Sequence, residues 1–252
     1  MKTTLRVMGL AVATGILSTA LAAETSSASR YDSAIASKVT QQLAAKKQFQ
    51  KIQVTVEDGI VTLTGNVDLY QQKLDAARKV RKLQTVQGVR NLIEVGGQSI
   101  PDAQLTAELD RKLYYDRMGY DIAFNYVTAT VNDGVVTLNG ETRDQFDCDS
   151  ALALVDNTAG VKDVVNNLKV DPASIFDDQI RVRTLQAIYR DSSLQRYAID
   201  PARPIRILVD NGHVTLYGTV GTAMDKQIAG IRANQVFGAF SVQNNLEVAK
   251  KS

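Results

Sequence analysis

Four things are scarce in this 252-residue chain: cysteine, histidine, an excess of one charge, and long apolar runs. The single cysteine, Cys148, cannot form an internal disulfide, so stability must come from hydrophobic cores. The single histidine, His213, leaves too few soft ligands for the usual metal sites. Beyond residues 1–23 the chain carries 27 basic and 27 acidic side chains. That balance argues against general nucleic-acid binding. After the N-terminal segment no stretch is apolar and long enough to span a bilayer.

The N-terminal segment has its own pattern. Lys2 and Arg6 precede an apolar run from Val7 to Leu21, and Ala20-Leu21-Ala22 offers small residues for cleavage. Residues 1–23 therefore read as a secretory signal peptide rather than a membrane anchor. No cysteine follows the run, so a lipoprotein is not expected. The expected product is a free, soluble, exported protein.

What the chain does have is repetition. VEDGIVTLTG at 56–65 returns as VNDGVVTLNG at 131–140 and VDNGHVTLYG at 209–218. Gly59, Gly134 and Gly212 align, as do Gly65, Gly140 and Gly218. Without a gap, Asn91, Asn166 and Asn244 then fall into register. A match of this length, three times over, marks internal duplication with a period long enough for a small domain. The copies span 30–98, 99–171 and 172–252, with 11 Lys/Arg against 6 Asp/Glu, 6 against 13, and 10 against 7.

Each copy reads the same way. Ile52, Val54 and Val56 alternate with polar residues, as a half-buried strand does. Asp58-Gly59, Asp133-Gly134 and Asn211-Gly212 suit two-residue hairpin turns. The second glycine of each phrase is expected to end the second strand. A helix of about 18 residues should follow, ending near Gly160 and Gly238 in the later copies. A last strand should then pair in parallel. Each copy opens with another helix, for which Asp32, Asp102 and Asp177 are candidate N-caps. The expected fold class is α+β: three tandem αββαβ units, each a three-stranded mixed sheet with two helices on one face.

The hairpin phrase, the helix, and VQGVRNLIEV, GVKDVVNNLKV and FSVQNNLEV after it resemble the BON domain family, named for an osmotically inducible periplasmic protein and nodulation-related proteins. The resemblance covers the whole mature chain. It implies an envelope-stress protein of Gram-negative bacteria, with binding to phospholipid surfaces. It implies no catalytic residues, so no enzyme activity is expected, and its motif glycines are structural.

The residues agree that chemistry is sparse. His213 sits where the other copies have Ile60 and Val135, so it reads as a strand side chain. Cys148 lies between Asp147 and Asp149, which disfavours a thiolate. Asp144, Asp147 and Asp149 lack the ligand spacing of a calcium loop. No cofactor, metal or small-molecule substrate is expected. Two surfaces are candidates for binding. Arg78, Lys79, Arg81 and Lys82 span one basic helix face, suited to anionic phospholipid. Tyr114, Tyr115, Tyr120 and Phe124 lie in an aromatic insertion suited to a membrane interface, a protein partner, or packing between neighbouring copies. The matching insertion in copy three, residues 196–206, reads as a stiff exposed loop. The competing function is a chaperone or adaptor that binds envelope proteins through aromatic loops and sheet edges.

Overall fold

The computed structural model describes residues 18–116, 123, 126–170, 174–200 and 204–249, with side chains from Arg30 onward. The expected signal segment lies outside the described residues, apart from the backbone of its last few positions. Among the described residues no helix is long and apolar enough to cross a membrane. The chain forms two compact units. One comprises the described residues up to Gly65 with Asp75–Ile93; the other comprises Asn66–Leu74 and the described residues from Glu94 onward.

Copy one has helix α1 (Ser18–Ala44), strands β1 (Ile52–Glu57) and β2 (Ile60–Val67), helix α2 (Tyr70–Arg81), and strands β3 (Gly88–Asn91) and β4 (Glu94–Val95). Copy two has α3 (Asp102–Tyr115), β5 (Tyr126–Asn132), β6 (Val135–Thr142), α4 (Gln145–Asp156) and β7 (Asp163–Val170). Copy three has α5 (Ile175–Tyr189), β8 (Arg206–Asp210), β9 (His213–Tyr217), β10 (Thr219–Val220), α6 (Ala223–Asn234), β11 (Ser241–Asn244) and β12 (Glu247–Val248). In each copy the hairpin strands are antiparallel and the last strand lies parallel to the second, which is central. This is the α+β, thrice-repeated αββαβ fold that the alternation and turn residues predict.

The inward positions are those the strand and helix periodicities select. In copy two, Leu105, Leu109 and Leu113 of α3 pack with Val136 and Leu138 of β6 and Ala151 and Val155 of α4. Copy three repeats this with Ile180 and Ile188, Val214 and Leu216, and Ala229 and Ala233. Thr184 breaks the apolar spacing of α5 but is fully buried, because its hydroxyl donates to Ile180 O at 2.8 Å. A hydroxyl satisfied inside its own helix can enter a core at little cost.

Three expectations require correction. The aspartates at the first helices do not cap those helices. In α5 the cap is Ser174, whose hydroxyl accepts from Asp177 N. Instead each aspartate clamps the hairpin turn of its own copy. Asp32 accepts from the N–H groups of Asp58 and Gly59 at 3.0 and 2.9 Å. Asp102 accepts from Asp133 and Gly134 at 2.7 and 3.0 Å, and Asp177 from Asn211 and Gly212 at 3.1 and 2.7 Å. A two-residue hairpin with positive φ at both central positions leaves these two N–H groups unpaired, and one carboxylate satisfies both.

The second glycine does not end the strand in copies one and two. Gly65 and Gly140 lie inside β2 and β6 at φ of 107° and 131°. A Cβ at Gly140 would lie 1.7 Å from Tyr126 O, so a close backbone approach across the hairpin demands glycine. Only in copy three does the strand break there, between β9 and β10. Finally, the second helices are shorter than expected, 12 residues each. Gly160 and Gly238 adopt positive φ three residues past the C-caps Asn157 and Gln235, within the loop to the last strand.

Candidate functional site

Among the described residues no group of His, Cys, Asp and Glu is arranged to hold a metal ion. His213 is an exposed strand residue whose Nδ1 lies 2.7 Å from Ser241 Oγ. Cys148 is buried in α4. Asp144 caps α4 by accepting from Asp147 N at 2.8 Å, and Asp149 accepts from Gln145 Nε2 at 2.8 Å. The six motif glycines serve turns and close backbone approaches, as described above.

The basic face of copy one lies at the end of α2. Arg78, Arg81 and Lys82 are exposed and Lys79 is half-buried. Ala76, Ala77 and Val80 occupy the opposite, buried side. Arg78 pairs with Asp75 at 3.1 Å, an exposed i,i+3 contact that leaves most of the local charge uncompensated. Cations suit the C-terminal end of a helix, where carbonyls point outward. The apolar side of this helix belongs to the core, so its outer side presents charge to solvent.

Tyr114 is buried against copy three, while Tyr115 is 51% exposed and reaches copy three only through its hydroxyl. Tyr114 is only 3% exposed, and its hydroxyl donates to Ala198 O. The Tyr115 hydroxyl donates to Ile199 O at 2.7 Å. The Arg206 guanidinium lies 5.8 Å from the centre of the Tyr114 ring, and Tyr126 meets Tyr217 at 5.3 Å. Tyr114 and Tyr115, at the end of α3, and Tyr126, at the start of β5, thus contact copy three. Tyr120 and Phe124 lie outside the described residues. The counterpart insertion is anchored at both ends: Tyr197 and Ile205 are core residues, and the Tyr197 hydroxyl donates to Asp225 at 2.8 Å, while Ile199 is exposed and residues 201–203 lie outside the described residues. Burial pushes the Asp225 carboxyl up, but hydrogen bonds from Tyr197, Thr222 and Arg196 outweigh it and hold it below the ordinary range.

The seam between copies two and three also carries a feature that sequence reasoning missed. An open groove of about 550 Å³ runs along the outer side of α5, lined by Ile175, Asp178, Gln179, Val182, Arg183, Gln186 and, from copy two, Arg143. Ile175 and its neighbour Phe176 are 80% and 67% exposed. Arg143 reaches Asp178 at 3.4 Å, and Arg183 donates to Phe237 O at 3.3 Å, so both guanidiniums are held at the groove. Asp178 offsets Arg143, so Arg183 beside exposed Ile175 is the part of the lining that suits an amphiphile with an anionic head. The available signal was the pair Ile175-Phe176 directly after the cap Ser174, where a soluble helix normally places polar residues.

Family comparison decides the kinship of the three copies. The BON domain model matches residues 31–97, 101–172 and 177–250. The chain belongs to the BON domain family. Two relatives resemble its BON repeats. Osmotically-inducible protein Y of Escherichia coli K12 is 28% identical over 147 residues, covering 55% of this chain and 72% of that protein. An uncharacterized protein in the gshII 5′ region of Anaplasma centrale is 28% identical over 145 residues, covering 55% of this chain and 94% of its own. Among solved structures, the C-terminal domain of CdsD, a structural protein of the type III secretion system of Chlamydia trachomatis, is 16% identical, with a TM-score of 0.24 over 84% of this chain and 94% of that one. The PrgH periplasmic domain is 14% identical with a TM-score of 0.20, over 80% of this chain and 96% of that one. Scores that low carry no inference for the BON chain.

Proposed function

We propose that this chain is a non-enzymatic, exported envelope-stress protein of the periplasm that adheres to anionic phospholipid surfaces. The observation that carries this reading is the α5 groove, with exposed apolar residues on its floor and Arg143 and Arg183 at its edge. The basic end of α2 supplies a second, purely electrostatic contact. Four cations near an anionic membrane contribute roughly 4 kcal/mol before ordering costs. Linking two weak contacts in one chain raises the effective concentration of the second once the first engages. The stress role is supported by the similarity to an osmotically inducible protein.

The test is co-sedimentation of the purified exported chain with vesicles, with and without anionic lipid, at two salt concentrations. Binding should require anionic lipid and weaken with salt. Arg183→Glu and the pair Lys79→Glu/Lys82→Glu should each reduce it. Failure to pellet on anionic vesicles at low salt rejects the reading.

One observation favours a second reading. Strand β7 is an eight-residue sheet edge, and largely exposed. Such an edge can accept an extended segment of another protein, as an adaptor or chaperone would. That activity would persist at high salt and without lipid, and would respond to Tyr120→Ala or Phe124→Ala if the aromatic insertion contributes.

A further inference from the structure

The loop between the second helix and the last strand makes one hydrogen bond in every copy. Gln87 N donates to Gly59 O at 2.9 Å, Lys162 N to Gly134 O at 2.9 Å, and Phe240 N to Gly212 O at 2.8 Å. Its backbone is thus common to the three copies, but its side chains are not. Copy one has Gln84 and Gln87 at two corresponding positions, copy two has Ala159 and Lys162, and copy three has Phe237 and Phe240. The two phenyl rings are 87% and 75% exposed.

These rings are held in water by an ordered loop. Phe237 O accepts from Arg183, and Ala239 N donates to Val236 O at 3.4 Å. Phe240 lies directly over Gly212, where an added Cβ would come within 2.5 Å of its ring. Helix α6 contributes exposed Met224 and Ile231, seven residues apart and so on one side of the helix. From Ala223 to Phe240 the sole acidic residue is Asp225, and it is buried. Arg183 and Arg232 are exposed beside this surface.

Size and charge select the occupant. Two phenyl rings present roughly 300–500 Å². That falls short of the roughly 800 Å² per partner that a stable protein interface uses. Arg232 is paired with Asp191 at 2.9 Å, which leaves Arg183 as the exposed cation at the loop. Separate apolar tips on a fixed loop, beside that cation and in a segment whose one carboxylate is buried, match a bilayer interface instead. We infer that the Phe237–Phe240 loop is a hydrophobic wedge that enters the headgroup–acyl boundary of anionic phospholipid bilayers. The inference rests on the lipid-surface reading and adds a contact with different physics: burial of phenyl rings is not screened by salt.

The chain has no tryptophan, so Phe237→Trp creates a single emitter. The purified exported variant is mixed with anionic vesicles containing or lacking brominated acyl chains. Its emission should shift to the blue and be quenched by the brominated lipid. Ala159→Trp, at the same loop position in copy two, should do neither. At high salt, Phe237→Ser/Phe240→Ser should weaken vesicle pelleting about tenfold or more, with an unchanged circular dichroism spectrum. If the chain pellets but the tryptophan at 237 is not quenched, the wedge is rejected while the lipid reading stands. If the chain does not pellet at all, both fall. A blue-shifted emission without vesicles, together with a doubled mass in light scattering, would assign the rings to a second copy and also overturn the wedge.

Discussion

Helices α2 and α6 are the same element in two copies of one fold, yet they face solvent with opposite chemistry. Gln71 and Arg78 on α2 correspond to Met224 and Ile231 on α6, and the glutamines of the following loop correspond to phenylalanines. Their buried sides are alike: Ala76, Ala77 and Val80 in one, Ala229 and Ala233 in the other. Duplication has therefore kept what shapes the unit and released what meets the surroundings. The retained positions are glycines with positive φ, the aspartate that clamps the turn, and the inward apolar residues. Function belongs to the positions that diverged.

The strongest way to break that division is to alter a retained glycine. Gly140→Ala forces a Cβ onto Tyr126 O at an unfavourable φ and should cost about 3 kcal/mol or more in denaturant unfolding. A cost near zero would mean that the close approach is not structural. Next is the clamp. Asp102→Ala leaves two turn N–H groups without their charged acceptor and should cost about 2 kcal/mol, with Asp177→Ala showing a comparable loss. Tyr115→Phe removes one hydrogen bond between copies two and three and should cost about 1 kcal/mol.

A pH titration sharpens the same seam. Burial pushes the half-buried Asp110 carboxyl on α3 up to about 6, against the opposing pull of Arg206. The unfolded carboxyl titrates near 3.9, so the folded state holds this proton more tightly. Its contribution is full below about pH 4 and is lost as pH rises through about 6. Allowing for solvent screening, the loss is on the order of 1 kcal/mol. Unfolding of Asp110→Asn should lack this component. The smallest effect on stability belongs to the diverged surface: Arg78→Glu/Lys82→Glu should change unfolding by no more than about 0.5 kcal/mol. It should nevertheless reduce salt-sensitive vesicle binding.

Much of the fold was legible because it follows from local rules. Alternation at 52–57 and its equivalents, the Asp-Gly and Asn-Gly dipeptides, and four-residue apolar steps such as Leu105, Leu109 and Leu113 each imply one element. Their triple recurrence removed ambiguity. The aspartate clamps were not legible, because an aspartate at a helix start satisfies the capping rule equally well. Only the packing of that helix end against the hairpin distinguishes the two uses. The role of Gly140 was hidden for the same reason: a glycine late in a strand can end it or admit a neighbouring backbone. The α5 groove depends on Arg143, which meets Arg183 only after copies two and three dock. Helical periodicity gathers Arg78, Lys79 and Arg81 on the last turn of α2, with Lys82 just beyond its end.

The most direct test is vesicle co-sedimentation of the exported chain at low and high salt, run in parallel with its charge-reversed and Phe237→Ser/Phe240→Ser variants. The account predicts strong pelleting on anionic vesicles at low salt and a weaker, phenylalanine-dependent remainder at high salt. Equal recovery in the supernatant with and without anionic vesicles would contradict it.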